Sequence, residues 1–265
     1  MKATMIQADS FTSEAFRGNP AAVCLIEREM SESWMQSVAT EMNLSETAFP
    51  VCMGKNEYGL RWFAPATEVP LCGHATLATA HVLWQEGLAA QEEPIDFHSK
   101  SGVLVARREG DWICLDFPAY TLKEIPSPAG LAEALGAQPI VVFLSNSGKW
   151  LAELDSEAVV RQLTPDFGRL ANLDCRGCIV TARGKSQSYD FVSRFFAPQL
   201  GINEDPVTGA AHCCLAPYWA DRLGKNELIG QQVSKREGTV KVRMLGERVD
   251  LLGQAVTVLR GELLC

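Results

Sequence analysis

The sequence of 265 residues lacks the features that mark several classes of protein. Its 24 lysines and arginines never form a dense run, and its 32 acidic residues give a formal net charge of −8. This balance argues against nucleic acid or an anionic membrane as the main partner, although an anionic small molecule fits a locally positive pocket. No stretch reaches the roughly 18 apolar residues of a membrane span, and the N-terminal residues show no secretory pattern. We therefore expect a cytoplasmic protein with a small-molecule partner.

The common cofactor and metal motifs are also missing. The sequence contains no G-x-G-x-x-G, G-x-x-x-x-G-K-[ST], H-E-x-x-H or G-x-S-x-G segment. Residues 175–178 form a single C-x-x-C without a second pair or a suitably spaced histidine, so we expect no zinc site there. The nine cysteines are odd in number and scattered through apolar segments, which indicates buried thiols rather than disulfides. We therefore expect proton-transfer chemistry by side chains, with no cofactor and no metal.

Two linked motifs occur twice, about half a chain apart. Residues 61–65 (Arg-Trp-Phe-Ala-Pro) resemble residues 194–198 (Arg-Phe-Phe-Ala-Pro). Shortly afterwards, residues 68–75 (E-V-P-L-C-G-H-A) match residues 204–211 (E-D-P-V-T-G-A-A) in their glutamate, proline, glycine and alanine. Chance does not readily produce two linked matches, so we interpret the chain as two similar halves.

The same order of elements surrounds each motif. An apolar helical segment follows it, 75–84 in the first half and 210–223 in the second, and a glycine ends each segment. Helices that are apolar nearly all round are usually wrapped by other structure. The predicted preceding elements are strands at 21–26, 46–51 and 60–63 with a helix from near Ser31, and strands at 150–154, 178–182 and 190–196 with a helix at 156–170.

These elements predict an α+β fold with two pseudo-symmetric lobes. Each lobe would be a barrel-like curved β-sheet around a central apolar helix. We expect the first lobe at residues 1–117 and the second at 118–265, with a final strand that can return to the first lobe. Residues 116–119 are the expected crossing point.

The glycine at each helix start predicts an anion site. Gly73 and Gly209 each precede small residues, which lets a ligand approach backbone N–H groups at the positive end of the helix dipole. We expect the two helix starts to face one cleft between the halves and to bind one small carboxylate there. Tight strand-to-helix turns would require the same glycines, so that simpler interpretation stays open.

Glu46 has no acidic counterpart in the second half. It begins a predicted apolar strand, whereas the matching residues 176–180 contain no acid. An apolar cleft would raise its affinity for a proton, as a general acid or base at neutral pH requires. A solvated strand end or an ion pair with an arginine would also account for this glutamate.

His74 and Asp205 lie close to the two glycines. His74 follows Gly73, and its place at a helix N-terminus favours the neutral form, which suits hydrogen bonding to a substrate or proton transfer. Asp205 lies four residues before Gly209 and could orient a substrate amine or hydroxyl. It could equally cap the helix or shape the turn before Pro206.

Four segments resemble the signature blocks of the PhzF-like isomerase family of phenazine biosynthesis. In chain order they are residues 18–23 (GNPAAV), 43–49 (NLSETAF), 72–76 (CGHAT) and 205–212 (DPVTGAAH). They follow the order of the family's blocks and together span most of the chain. The resemblance implies a diaminopimelate-epimerase-like fold, with two lobes that each wrap a curved sheet around a helix and an active site between them.

The resemblance also implies an activity and its residues. The best-known member isomerises a dihydro-hydroxyanthranilate during phenazine synthesis without a cofactor. By matching positions, Glu46 is implied as the acid/base and His74 and Asp205 as further catalytic residues. Gly73, Gly209 and Ala210 are the expected substrate-binding positions. Homodimers are common in the family, so a homodimer is a possible assembly.

Three functions follow as hypotheses. The first is a cofactor-independent isomerase of a small carboxylate-bearing metabolite, with proton transfer by Glu46. Ala210 stands where the phenazine enzyme has a hydroxyl residue, so a substrate contact or a proton relay of that enzyme is missing. The second is an amino-acid racemase or epimerase with Cys72 as a base, although Thr208 takes the place of the second cysteine. The third is a non-catalytic carboxylate-binding protein.

Overall fold

The computed structural model describes residues 2–264, and these residues form two compact units. The first unit runs to Asp116 and also contains the chain from Leu252 onward. The second unit is Phe117–Leu251. Strands outnumber helices in both units, so the architecture is a mixed α and β one with a large sheet.

The first unit contains two helices among its strands. In chain order its elements are β1 (Lys2–Ser10), β2 (Asn19–Leu25), α1 (Glu32–Met42), β3 (Glu46–Gly54), β4 (Glu57–Phe63), β5 (Glu68–Val69), α2 (Gly73–Gln85), β6 (Ile95–Ser99), β7 (Gly102–Glu109) and β8 (Trp112–Pro118). The second unit follows with β9 (Leu122–Ile125), α3 (Leu131–Leu135), β10 (Val141–Ser145), β11 (Trp150–Glu153), α4 (Glu157–Gln162), α5 (Phe167–Ala171), β12 (Cys178–Arg183), β13 (Phe191–Ala197), a 3-10 turn (Pro198–Leu200), β14 (Ile202–Asp205), α6 (Gly209–Leu223), β15 (Glu227–Gln232), β16 (Gly238–Leu245) and β17 (Arg248–Gly253). The last strand, β18 (Ala255–Leu264), belongs to the first unit.

The strand pairing of the first unit recurs in the second. The parallel pair β2 and β3 corresponds to β11 and β12, and the antiparallel pair β3 and β4 corresponds to β12 and β13. In the first unit β4 also pairs with the short antiparallel strand β5 and with the parallel strand β6, and β6 pairs with the antiparallel strand β7. In the second unit β13 pairs in the same way with β14 and β15, and β15 pairs with β16. The internal repeat predicted from two short motifs therefore extends to the strand pairing.

In the first unit β1 lies between β2 and β18 with antiparallel pairing on both sides, as β10 lies between β11 and β9 in the second unit. Helix α1 covers one face of this sheet, because its apolar residues recur at helical spacing and pack against β1, β3 and β4. This cluster includes Met5, Met35, Phe49 and Phe63. The Ser31 side chain accepts a hydrogen bond from the Trp34 N–H and caps the helix start.

The predicted helix at 156–170 is two helices. The first, α4, ends at Gln162, and α5 begins only at Phe167. Pro165 lies between them, and a proline disfavours helical geometry in the residue before it and cannot donate a backbone hydrogen bond. Asp166 then restarts the helix, because its carboxylate accepts the Arg169 N–H at 2.9 Å.

Helices α2 and α6 begin at the two repeated glycines and are buried along most of their length. Within the first unit, α2 packs against β1, β2, β3 and β18, and within the second unit α6 packs against β15 and β16. Pro217 lies inside α6 and cannot donate to the carbonyl of Cys213, which instead accepts the Tyr120 N–H at 2.9 Å. Among the described residues, none of the helices combines the length and apolar character of a membrane span.

Candidate active site

A repeated arginine–glutamate pair holds the strand before each helix start. In the first unit, Arg61 donates two hydrogen bonds of 2.8 Å to the carboxylate of Glu68. In the second unit, Arg194 contacts Glu204 in the same two-bond manner at 2.6 and 2.9 Å. Hydrogen bonding from Arg61 lowers the pKa of Glu68 to about 2. The arginine and glutamate of the repeated motif therefore tie β4 to β5 and β13 to β14, immediately ahead of the helices.

Glu46 is the first residue of β3 and lies opposite Ala21 of the parallel strand β2. Its structural counterpart in the second unit is Gly177, because Thr47 lies opposite Phe63 and Cys178 lies opposite Phe196. A Cβ atom at Gly177 would come within 2.5 Å of the Phe195 ring. The second unit therefore has no acid at this place and no space for one without a shift of that ring.

Glu46 and His74 meet at the start of α2. The Glu46 Oε2 and His74 Nε2 atoms are 3.1 Å apart, and only 14% and 7% of the two side chains are exposed. Neither atom has a hydrogen-bond partner of acceptable geometry among the described residues. Buried polar atoms usually have such partners, so a buried carboxylate oxygen and a ring nitrogen that lack them indicate a site prepared for a ligand.

The protonation of His74 differs from the expectation drawn from its place in the helix. Burial lowers the pKa of His74, but Cys72 and the Glu46 carboxylate together raise it more, and the pKa lies well above the ordinary value for histidine. A positive helix end favours a neutral ring, but an acid that touches the ring outweighs this effect. The direction of this pKa shift is opposite to the expectation of a neutral His74, which did not include the contact with Glu46 across 28 residues of sequence.

Cys72 contacts the other nitrogen of the same ring. Its sulfur lies 3.5 Å from His74 Nδ1, and the residue is buried. Burial, followed by the charge of Glu46, raises the pKa of the Cys72 thiol. Ligand atoms of Cys72, His74 and Glu46 lie within 4.8 Å of one another, so these three residues could hold a metal ion. The sulfur and the carboxylate approach opposite nitrogens of the ring, which suits a hydrogen-bonded chain better than binding of one ion.

Two residues fix the backbone around His74. Ser10, at the end of β1, donates from its hydroxyl to the His74 carbonyl at 2.7 Å. Gly18 lies against Ser10 and has a positive φ of 63°. A Cβ atom at Gly18 would come within 2.1 Å of the Ser10 carbonyl oxygen, so this position requires glycine. The Gly18-Asn19-Pro20 segment therefore supports the site through Ser10.

The second unit arranges its own predicted residues around Thr208. Asp205 accepts a hydrogen bond from the Thr208 hydroxyl, and Gln232 accepts the Thr208 N–H at 2.9 Å while donating to the Asp205 carbonyl at 2.8 Å. Gly209 begins α6 and Ala210 follows it, in the places that Gly73 and His74 take in α2. Neither helix has a side-chain hydrogen bond at its N-cap or an acidic residue in its first turn.

The predicted site residues therefore fall into two groups. Glu46, Gly73 and His74 come together in the first unit, and Asp205, Gly209 and Ala210 lie together at the start of α6. A common cleft that joins the groups stays a prediction. Sequence reasoning missed Ser10 and Gln232, because nothing in their local sequence signals a contact with a helix start. Cys72 was noticed for its place before the glycine, but its contact with His74 was not foreseen.

Comparison with known proteins agrees with these features. The family described as PhzC-PhzF, phenazine biosynthesis-like protein, matches residues 8–261. A protein of Halalkalibacterium halodurans named as an uncharacterized isomerase is 53% identical over 97% of this chain and 96% of its own. A phenazine biosynthesis PhzF family protein from Enterococcus faecalis has a crystal structure that superposes with a TM-score of 0.95 at 43% identity, covering 100% of both chains.

A more distant structure shares the fold. A hydroxyproline epimerase from Agrobacterium vitis, with bound trans-4-hydroxy-L-proline, superposes with a TM-score of 0.63 at 9% identity, over 98% of this chain and 92% of the epimerase. At this identity the likeness concerns the fold alone, and it supports an epimerase-like fold. With a family match across nearly its whole length and close relatives named as isomerases, the chain belongs to the phenazine biosynthesis-like (PhzF) family of proteins and is an isomerase.

Proposed function

We propose that this protein is a cofactor-independent isomerase of a small carboxylate-bearing metabolite and that Glu46 transfers the proton. The observation that carries the proposal is the contact of 3.1 Å between Glu46 Oε2 and His74 Nε2, two buried atoms without hydrogen-bond partners among the described residues. A carboxylate in this setting can take a proton from carbon without a metal.

The proposed reaction moves one hydrogen within the substrate. A C–H bond next to a conjugated group breaks, its electron pair spreads into that group, and the proton passes to Glu46 Oε2. A proton then returns from Glu46 to a different atom of the substrate, where a new bond to hydrogen forms. Nothing is oxidised or reduced overall, so the step requires no co-reactant.

A substrate carboxylate is supported by the two helix starts. Gly73 and Gly209 each begin a helix that has neither a side-chain cap nor an acid in its first turn. The positive end of a helix dipole favours an anion, and no acidic residue belongs to the first turn of either helix. We propose that Gly73 contributes to carboxylate binding and that Asp205, Gly209 and Ala210 contact other parts of the substrate.

The racemase hypothesis with Cys72 as base is less well supported. A thiol base must lose its proton, whereas burial and Glu46 raise the pKa of this thiol. Thr208 occupies the N-cap of α6, where a second thiol would be needed.

Proton exchange in D₂O separates the three hypotheses. Cyclic carboxylates and amino acids are incubated with wild-type protein and with the variants Glu46→Gln and Cys72→Ser, and carbon-bound deuterium is followed by NMR. Exchange that disappears in Glu46→Gln and persists in Cys72→Ser is the expected result. Loss in Cys72→Ser with retention in Glu46→Gln would favour the racemase. Binding of a carboxylate without exchange at any pH from 6 to 9 would contradict both enzyme hypotheses and favour the non-catalytic binding protein.

A further inference from the structure

The ring of His74 lies between a thiol and a carboxylate. Cys72 Sγ is 3.5 Å from Nδ1, and Glu46 Oε2 is 3.1 Å from Nε2. The sulfur and the carboxylate therefore contact different nitrogens of the imidazole. A flip of the ring would break both contacts, so the sulfur fixes which nitrogen faces the carboxylate.

Cys72 occupies a position where another residue type is usual. It is the N-cap residue of α2, with φ −144° and ψ 111°, and its side chain makes no capping hydrogen bond. Serine, threonine, aspartate and asparagine are preferred at N-caps because their oxygens accept backbone N–H groups. A thiol is a poor cap, so helix stability does not explain the cysteine. Its contact with His74 gives it a different role.

The second unit shows what a different partner does to a buried histidine. His212 Nδ1 lies 2.9 Å from the Thr208 carbonyl oxygen, which can only accept, so Nδ1 must carry the proton. Burial lowers the pKa of His212 to about 4, and no acid among residues 2–264 contributes to this shift. A sulfur likewise accepts a ring N–H, but His74 also faces a carboxylate and can hold protons on both nitrogens.

We propose that Cys72 is a positioning residue whose sulfur accepts the hydrogen bond of the His74 Nδ1–H and so keeps Nε2 directed at Glu46. The inference rests on the proposed role of Glu46, whose Oε2 must keep its contact of 3.1 Å with the ring each time the carboxylate gains or loses a proton. Without the sulfur, the Nδ1–H would be buried without an acceptor. The ring would then hold its proton on Nε2 alone or turn away from the carboxylate.

Two-bond ¹H–¹⁵N correlation spectra of the histidine rings test this directly, because they report which nitrogen carries a proton. The spectra are recorded at neutral pH on ¹⁵N-labelled wild type, Cys72→Ala, Cys72→Val and Cys72→Ser, and signals missing from His74→Gln identify His74. Valine fills the space of the thiol with methyl groups and tolerates the extended backbone at this position, so it covers the case in which a cavity left by alanine destabilises the fold.

We expect a protonated Nδ1 in the wild type and in Cys72→Ser, and an unprotonated Nδ1 in the alanine and valine variants. Cys24→Ala, which removes another buried thiol of the same unit, should leave the His74 pattern unchanged. The same nitrogen pattern in wild type, Cys72→Ala and Cys72→Val would overturn the proposal, as would an unprotonated Nδ1 in the wild type.

A kinetic measurement distinguishes failure of this inference from failure of the proposed function. Cys72→Ala should lower kcat for exchange by roughly ten- to a hundredfold with little change in KM, and Cys72→Ser should restore it. Absence of exchange with every compound would overturn the function assigned to Glu46 and leave the nitrogen pattern as independent support for the hydrogen bond. Unchanged kcat in Cys72→Ala would overturn the positioning role even where the function holds.

Discussion

The starts of α2 and α6 are built on the same plan and differ in their chemistry. Both follow an arginine–glutamate ion pair, begin at a glycine and lack a side-chain cap. Four residues after its N-cap, α2 has Thr76, whose hydroxyl donates to the Cys72 carbonyl at 2.6 Å. In α6 the residue at this place is His212, whose ring contacts the Thr208 carbonyl. The shared features hold the backbone, and the differing side chains decide the chemistry.

The proposed acid/base pair, Glu46 and His74, occurs at one of the two helix starts and not at the other. His74 corresponds to Ala210, and Glu46 corresponds to Gly177. Conversely, Asp205 of the second unit corresponds to Val69, which lies opposite Trp62 as Asp205 lies opposite Phe195. The two copies of the repeat therefore have different polar side chains at equivalent positions around the helix starts. We infer that proton transfer depends on the first copy.

The largest effect is expected at His74. In His74→Ala, which gives α2 the residue of α6, the exchange rate should fall by about 10²–10⁴-fold, because Glu46 loses the ring that contacts its Oε2. Addition of Ala210→His to this variant should not restore exchange, since no acid lies at Gly177. NMR in D₂O measures both rates. His81→Gln, a change elsewhere in α2, is the control, and an equal loss there would show that the effect is general damage to the helix.

The ion pairs should contribute unequally to stability. Arg194 also donates to the carbonyls of Val160 and Leu163 at 3.2 and 2.8 Å, whereas the further partners of Arg61 are Glu29 and Glu32, which are exposed. Arg194→Met should therefore lower the free energy of unfolding by about 3–5 kcal/mol and Arg61→Met by less, about 2–3 kcal/mol. Urea unfolding measures both values, and a larger loss in Arg61→Met would contradict the comparison.

The lowered pKa of Glu68 adds a pH dependence to the first unit. Its folded pKa of about 2 lies below the ordinary value, so the ion pair stabilises the fold fully above pH 4.5 and the contribution disappears as the pH falls toward 2. In Arg61→Met the stability curve should be flatter over this interval. Urea midpoints at several pH values measure the slope, and equal slopes in wild type and variant would exclude the pair as its source.

A second pH dependence is expected at His212. Its pKa of about 4 in the folded state lies below the unfolded value near 6.5, so the unfolded chain binds more protons between these limits. Stability should therefore fall as the pH is lowered from 6.5 to 4, by up to about 3 kcal/mol. In His212→Thr, which copies Thr76 of α2, this slope should disappear. Persistence of the slope in His212→Thr would assign it to other groups.

Part of the fold was predictable because it depends on local sequence patterns, namely repeated motifs, apolar spacing and glycines. The two motifs revealed the repeat, Ser31 and the apolar spacing marked α1, and the glycines marked both buried helices. The single helix at 156–170 was wrong although its cause was visible, since Pro165 interrupts the segment. Periodicity alone gave too much weight to the apolar residues on either side of that proline.

Contacts between distant segments limited prediction of the site. The repeat showed that the second half has no acid at the position equivalent to Glu46, and the sequence showed that His74 follows the glycine. The charge of His74 could not be inferred, because it depends on how closely β3 approaches α2. Ser10 and Gln232 are ordinary polar residues in their own strands, and only the folded chain brings them to the helix starts.

The most direct test of the account is the rate of carbon-bound deuterium exchange in Glu46→Gln compared with Glu57→Gln. Both variants remove one carboxylate from the first unit, but Glu57 lies exposed at the start of β4. We expect a loss of at least about 10²-fold in Glu46→Gln and none in Glu57→Gln. Equal exchange rates in the two variants would contradict the assignment of proton transfer to Glu46.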